Sequence, residues 1–199
     1  MANLTDYTVG WNGVGRMGYP MANRLLEAGC DVSIYNRTRS KAEPLAETGA
    51  KIVDTPKDLA DRDLVFTMVS TSDDLINVTF GENGVLTAEA MPKLLVDCSS
   101  VSEEASAEVR ARAAEFGVDM LASPVSGNGK VVKAGKLTIV TSGPRAAFEI
   151  AEPYLNQVGR GVTYVGEGEL ARMIKICHNV LLGVYTQCLA EILVLAEKG

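Results

Sequence analysis

Between residues 7 and 29 the chain reads YTVGWNGVGRMGYPMANRLLEAG: a β-branched run, glycines at 13, 15 and 18, and then a helical pattern. A G-x-G-x-x-G turn between a strand and a helix restricts the fold strongly, because each glycine answers a separate steric demand. The first permits a tight turn, the second lets the backbone approach a pyrophosphate, and the third allows close packing of helix on strand. The helix N-terminus that follows presents free N–H groups and the positive end of its dipole to such an anion. Gly13, Val14, Gly15, Arg16, Met17 and Gly18 are therefore the candidate phosphate loop.

The rest of the chain repeats the same alternation without internal repeats or low-complexity segments. Strands are expected at YTVGW, DVSIY, KIV, LVFTMV, LLVDC, VDMLA, LTIV and VTYV, with helical stretches starting near Met17, Arg39, Pro56, Ser72, Ser102 and Pro144. Strands alternating with helices imply right-handed crossovers and a mainly parallel sheet covered on both faces, a doubly wound Rossmann-like α/β domain over residues 1–166. From about Gly168 to Lys198 there is no proline and only Gly183 weakens a long C-terminal helix. Its apolar residues surround the axis instead of forming one stripe, so residues 167–199 require packing partners on most sides.

Composition narrows the function classes. Hydrophobic residues at 47% and charged residues at 22% are ordinary globular values. A net charge of −6 with scattered acidic residues gives no electrostatic footprint for nucleic acid and no polybasic membrane patch. The run VLLGVYTQCLAEILVLA is broken by Gln187 and Glu191 and falls short of an uninterrupted membrane span. The four cysteines form no metal spacing, Cys177 and Cys188 stand too far apart on one helix for a disulfide, and a reducing cytoplasm is expected.

Three further segments carry chemistry. In NAD-selective folds an acidic residue about 20 residues after the glycines holds the adenosine ribose. Here that place reads YNRTRSK, with Asn36, Arg37, Thr38, Arg39 and Lys41. A guanidinium beside a hydroxyl suits a 2′-phosphate and no carboxylate repels it, which favours NADP(H) over NAD(H). The segment SPVSGNGKVVKAGKLT places Ser126, Gly127 and Asn128 in a turn whose N–H, hydroxyl and amide donors suit a carboxylate. In KICHN, Lys175, His178 and Asn179 share one helix face, and a lysine in apolar surroundings becomes a proton acceptor or donor near neutral pH.

In this order, VGWNGVGRMGYPMA, YNRT, DCSSVS, SPVSGNGKVVKAGKLT, KICHN and LAEKG resemble the β-hydroxyacid dehydrogenase family. That family includes 3-hydroxyisobutyrate dehydrogenases, tartronate semialdehyde reductases and, more distantly, 6-phosphogluconate dehydrogenases. The resemblance implies that Lys175 is the catalytic acid/base, that Asn179 assists it, and that Ser126, Gly127 and Asn128 with His178 bind substrate. It further implies that Met68, Val69 and Ser70 touch the adenosine half of the cofactor, that Ser100 lies near the nicotinamide, and that Asn36, Arg37 and Thr38 meet the ribose phosphate. Members of the family continue into an all-helical second domain that is absent from this chain, closes the substrate cleft and often forms the dimer.

Departures from the family pattern are informative. Asn12 replaces an aliphatic residue before the first glycine, and Asn128 replaces a glycine in the anion loop. KICHN has the Lys-x-x-His-Asn form of the phosphogluconate enzymes, yet Leu182 stands where they place a glutamic acid, so their decarboxylating acid step is not expected. The implied activity is hydride transfer between NAD(P) and a small 3-hydroxy acid or semialdehyde, in a homodimer or higher homo-oligomer when full length. Its rivals are a non-catalytic dinucleotide-binding or scaffold module and an imine reductase, whose members usually carry an acidic residue or tyrosine in place of the lysine.

Overall fold

The computed structural model describes residues 4–199. In chain order, β1 (Val9–Asn12), α1 (Gly18–Glu27), β2 (Val32–Tyr35), β3 (Lys51–Ile52), β4 (Leu64–Thr67), α2 (Ser72–Phe80), β5 (Leu94–Asp97), α3 (Glu103–Glu115) and β6 (Asp119–Ala122) build the first layer system. The six strands form one wholly parallel sheet in the order β3-β2-β1-β4-β5-β6. The order reverses between β1 and β4, and in doubly wound sheets the crevice above that reversal is where ligands bind.

Alternation along the central strands divides the core into two slabs. Trp11, Ile34, Phe66 and Val96 point to the face covered by α1, while Val65, Leu95 and Met120 point to the face covered by α2 and α3. Burial on both faces is what a parallel sheet demands, and it explains the near-continuous apolar runs in the sequence. The helical starts expected at Arg39 and Pro56 yield only short 3₁₀ turns, at Arg39–Lys41, Glu43–Thr48 and Pro56–Leu59. These segments are too short to carry a helical period.

The last two expected strands do not join the main sheet, which corrects the single-sheet expectation. β7 (Val125–Ser126), α4 (Gly129–Lys133), β8 (Thr138–Thr141), α5 (Arg145–Val158) and β9 (Gly161–Tyr164) follow β6. β7 runs antiparallel to β8 and β8 parallel to β9, giving a separate three-stranded sheet. A bridge of two 2.9 Å hydrogen bonds between Ala122 and Ser142 joins the sheets at one point. Helix α5 covers the same face as α1 through Phe148, Ala151 and Leu155.

Helix α6 (Leu170–Lys198) has 29 residues, about 43 Å at ~1.5 Å each. It is long and apolar enough by length and composition to cross a membrane. Only Ala171 and Arg172 are buried, and large side chains from Leu170 to Leu195 stand in the open. Its first turns are tied to the α/β body by polar bonds. The Ala171 N–H donates to Ser142 Oγ at 3.0 Å, and Arg110 Nε meets Glu169 Oε1 at 2.7 Å. Arg172, 2% exposed, pairs with Asp97 at the end of β5 and donates to the Ser99 carbonyl and, at 3.2 Å, to Ser106 Oγ. Asp97 in turn accepts from Thr67 Oγ1 and the Ser99 N–H.

Removing one member of a buried pair leaves the other charge uncompensated, which costs about 3–5 kcal/mol. Arg172→Ala should lower the unfolding free energy by that amount, read as a reduced urea midpoint. A midpoint equal to wild type would show that the pair does not anchor α6.

Candidate active site

The glycine turn meets its three steric demands. Gly13 has φ +97°, and a Cβ there would lie 2.4 Å from the Met68 carbonyl oxygen. A Cβ on Gly18 would fall 1.9 Å from the Gly13 oxygen. Around a Cβ on Gly15, by contrast, no protein atom lies within 4 Å, and no side chain caps the start of α1. The open position and the uncapped helix end are the cradle a pyrophosphate needs, so these residues fit a dinucleotide. Beneath the turn, Trp11 stacks on Phe66 with ring centroids 5.5 Å apart and donates its indole N–H to the Gly13 carbonyl at 3.0 Å. Asn12 leaves the strand end intact, accepting the Met68 N–H at 2.8 Å, but it is buried and its side-chain nitrogen has no partner.

A cleft of about 400 Å³ opens beside the turn, above the reversal between β1 and β4. Gly13 and Gly15 form one wall, Asn36, Arg37, Thr38 and Lys41 a second, and Met68, Val69 and Ser70 a third. Val14, Arg16, Met17 and Gly18 lie outside this cleft. Asn36 belongs to the wall, yet its amide is engaged within the protein: Oδ1 accepts the Val14 N–H at 2.9 Å and Nδ2 donates to the Thr38 carbonyl at 2.8 Å. These bonds fix the shape of the loop at the edge of the cleft. Arg37 reaches Asp74 of α2 at 3.1 Å. Arg39 turns away to Asp54 and Glu43, so the basic cluster read from the sequence contributes Arg37 and Lys41 to the cleft and not Arg39.

At the other end, Lys175 Nζ donates to Ser126 Oγ at 3.0 Å, joining α6 to β7. Burial pushes the Lys175 amine below the ordinary lysine value, because the charged form loses water. Gly127, at φ +142°, is packed against Val131 and Leu137. Asn128 Oδ1 caps α4, accepting the Lys130 and Val131 N–H groups at 3.0 and 3.2 Å, and its amide N–H groups are not used by this cap. The two loops adjoin, since a Cβ on Gly129 would stand 3.4 Å from the Arg16 carbonyl oxygen. The phosphate loop and the lysine therefore flank one region of the surface.

His178 and Asn179 do not close on Lys175 as their shared face suggests. Both are exposed and neither side chain hydrogen-bonds to another described residue, because α6 beyond its first turns has no neighbour to hold them. Ser100 is exposed past the end of β5, whereas Ser99 is buried and accepts the Val69 N–H at 2.9 Å. Sequence reading missed Arg172 and Asp97, which fix the helix bearing Lys175, and Asp74, which faces Arg37. An acid ending the apolar strand LLVD and an arginine in an apolar helix were the available signal, since buried charges require partners.

Gly15→Ala should melt at the wild-type temperature yet weaken NADPH binding by more than about tenfold, roughly 1.4 kcal/mol, in a fluorescence titration. Gly18→Ala should instead lose about 1–3 kcal/mol or more of stability through overpacking, measured by denaturant unfolding. Equal effects of the two substitutions would contradict the separate roles of these glycines.

The model of the NAD-binding domain of 6-phosphogluconate dehydrogenase matches residues 8–166. Glyoxylate/succinic semialdehyde reductase 2, chloroplastic, of Arabidopsis thaliana is 35% identical over 196 residues, which are 98% of this chain and 55% of that protein. The chain thus spans little more than half the length of that relative. The solved 3-hydroxyisobutyrate dehydrogenase of Mycobacterium tuberculosis with L-serine superposes with a TM-score of 0.90 at 30% identity, over 96% of this chain and 65% of its own. An imine reductase from Myxococcus stipitatus in complex with NADP+ superposes with a TM-score of 0.80 at 28% identity, over 92% and 63% of the two chains. With its glycine turn, its strand order and these likenesses together, the chain belongs to the β-hydroxyacid dehydrogenase family and carries that family's NAD(P)-binding domain.

Proposed function

We propose that the protein is an NAD(P)-dependent oxidoreductase acting on a small 3-hydroxy acid or its semialdehyde, with Lys175 as general acid/base. The observation that carries this reading is the half-buried Lys175 amine hydrogen-bonded to Ser126 beside the loop that adjoins the phosphate turn. A bound nicotinamide supplies the hydride acceptor or donor; the protein supplies orientation and proton handling.

In oxidation the neutral Lys175 amine accepts the substrate hydroxyl proton, and in reduction the ammonium returns it. Because Ser126 Oγ accepts from Lys175, its own O–H remains to donate to a substrate carboxylate. Gly127 keeps that turn close to the core, and His178 and Asn179 present further hydrogen-bonding groups on the exposed helix face, Asn179 assisting the lysine. Arg37 and Lys41 favour NADP(H), with NAD(H) as the alternative cofactor. The substrate class is supported by the names of two relatives, a semialdehyde reductase and a 3-hydroxyisobutyrate dehydrogenase solved with L-serine, itself a 3-hydroxy acid. The same reading divides the chain at residue 166 into the dinucleotide domain and an interdomain helix, and places the protein in the cytoplasm as a homodimer or larger homo-oligomer, without nucleic-acid or membrane partners.

NADPH consumption by the full-length protein should be seen with glyoxylate or short semialdehydes and not with cyclic imines. Lys175→Ala should lower kcat by about 10²- to 10⁴-fold while leaving the NADPH dissociation constant unchanged. Turnover of imines alone, or undiminished turnover in this variant, would overturn the assignment, and binding without turnover of any of these would favour a scaffold.

The pH dependence has a defined sign. Oxidation requires the neutral amine, so its rate should rise with pH and reach its plateau below the pH expected of an ordinary lysine, with reduction falling over the same interval. A pH–rate profile of kcat/KM in both directions checks this.

A further inference from the structure

We propose that Asp74 sets the balance between the two pyridine dinucleotides: it competes with a 2′-phosphate for Arg37, and with NAD(H) it accepts hydrogen bonds from the adenosine ribose hydroxyls. This rests on reading the 400 Å³ cleft as the adenosine half of the dinucleotide site.

The position after β2, where an NAD-selective fold places a carboxylate, holds Asn36, and both ends of its amide are already bonded to Val14 and Thr38. Asn36 Oδ1 keeps one lone pair, but a neutral amide oxygen already bonded to Val14 is a weaker ribose acceptor than a carboxylate. Asp74 stands in the same cleft on α2 and offers one.

Its orientation shows that the carboxylate is not needed by its own helix. Asp74 is the third helical residue after Thr71, whose Oγ1 accepts the Asp74 N–H at 3.0 Å. In a capping box a carboxylate at this position turns back to the N–H of the capping residue. The same chain does this elsewhere: Asp58 Oδ2 accepts the Thr55 N–H at 2.8 Å. Asp74 instead reaches across to Arg37.

The contact is a single one, Nη1 to Oδ1 at 3.1 Å, so four of the five guanidinium N–H donors remain for a phosphate. The side chain of Asp74 is 26% exposed and that of Arg37 81%, so the carboxylate is the fixed partner and the guanidinium the one that swings. A 2′-phosphate drawn to Arg37 meets the negative charge of Asp74 in the same place. A ribose hydroxyl meets an acceptor.

The test is titration of wild type, Asp74→Asn and Arg37→Gln with NADPH, NADH, adenosine 2′,5′-bisphosphate and AMP, by calorimetry. Asp74→Asn should tighten NADPH and the bisphosphate by about two- to fivefold, the range of an exposed ion pair, and weaken NADH and AMP by a similar factor. Asp74→Ala, with its fold checked by circular dichroism, should shift the ratio in the same direction. A shift of all four probes in one direction, or an unchanged ratio in both variants, would overturn the proposal. If Arg37→Gln leaves the ratio of bisphosphate to AMP affinity at its wild-type value, the cleft is not the 2′-phosphate site, and the underlying reading falls instead.

Discussion

The pairing of Arg172 with Asp97 fixes the root of helix α6 and with it the position of Lys175. Two opposite charges at 2% exposure are stable in a protein interior only when matched by each other and by further hydrogen bonds. Thr67, Ser99 and Ser106 complete that matching, so strands β4 and β5 and helix α3 converge on one guanidinium. Lys175 lies one helical turn beyond it. The Lys175 amine is thereby located by a network at the carboxyl ends of the central strands, the edge at which the glycine turn also opens.

That edge is organised as a row of polar residues along one register of the sheet. Tyr35, Asn12, Thr67 and Asp97 face one another across β2, β1, β4 and β5. Below this row both slabs of the core are apolar; above it the loops carry the bonds that hold the cleft in shape. The indole N–H of Trp11 and the amide of Asn36 each fix part of the phosphate turn from below or beside it, which leaves the outward surface of the turn for a ligand. Asn12, in the middle of the row, is the exception, with a buried nitrogen unmatched by any acceptor.

How much of this was legible in the sequence depended on whether the signal was local. The glycine spacing identified its turn, and each short apolar run before Gly168 became a strand, because strands of a sheet covered on both faces are mostly apolar. β7 and α4 on either side of the expected turn at Ser126, Gly127 and Asn128 escape the pattern, since a two-residue strand and a five-residue helix have no period to detect. The separation of β8 and β9 from the main sheet is a matter of long-range pairing, which pattern alone does not show. Among site residues, Lys175 and Ser126 were named from their segments and found bonded. Asn36 and the side-chain oxygen of Asn128 also bond their own backbone neighbours, a role that short amide side chains take readily and that segment pattern does not reveal. Asp74 and Arg172 depend on partners 37 and 75 residues away, and no local reading reaches that far.

The long helix has a further implication. Its first turns are pinned and everything beyond them is bare, and Lys175 sits at the border between these two regimes. Motion should therefore increase along the helix from the amine outward, with the amine itself nearly stationary while His178 and Asn179 sample a wider arc. Whatever body comes to rest on the outer turns would damp that arc and thereby decide the aim of the asparagine. In the proposed mechanism, proton transfer and substrate choice would then be governed by different parts of one rod: the first by the rigidity of its root, the second by the grip on its shaft.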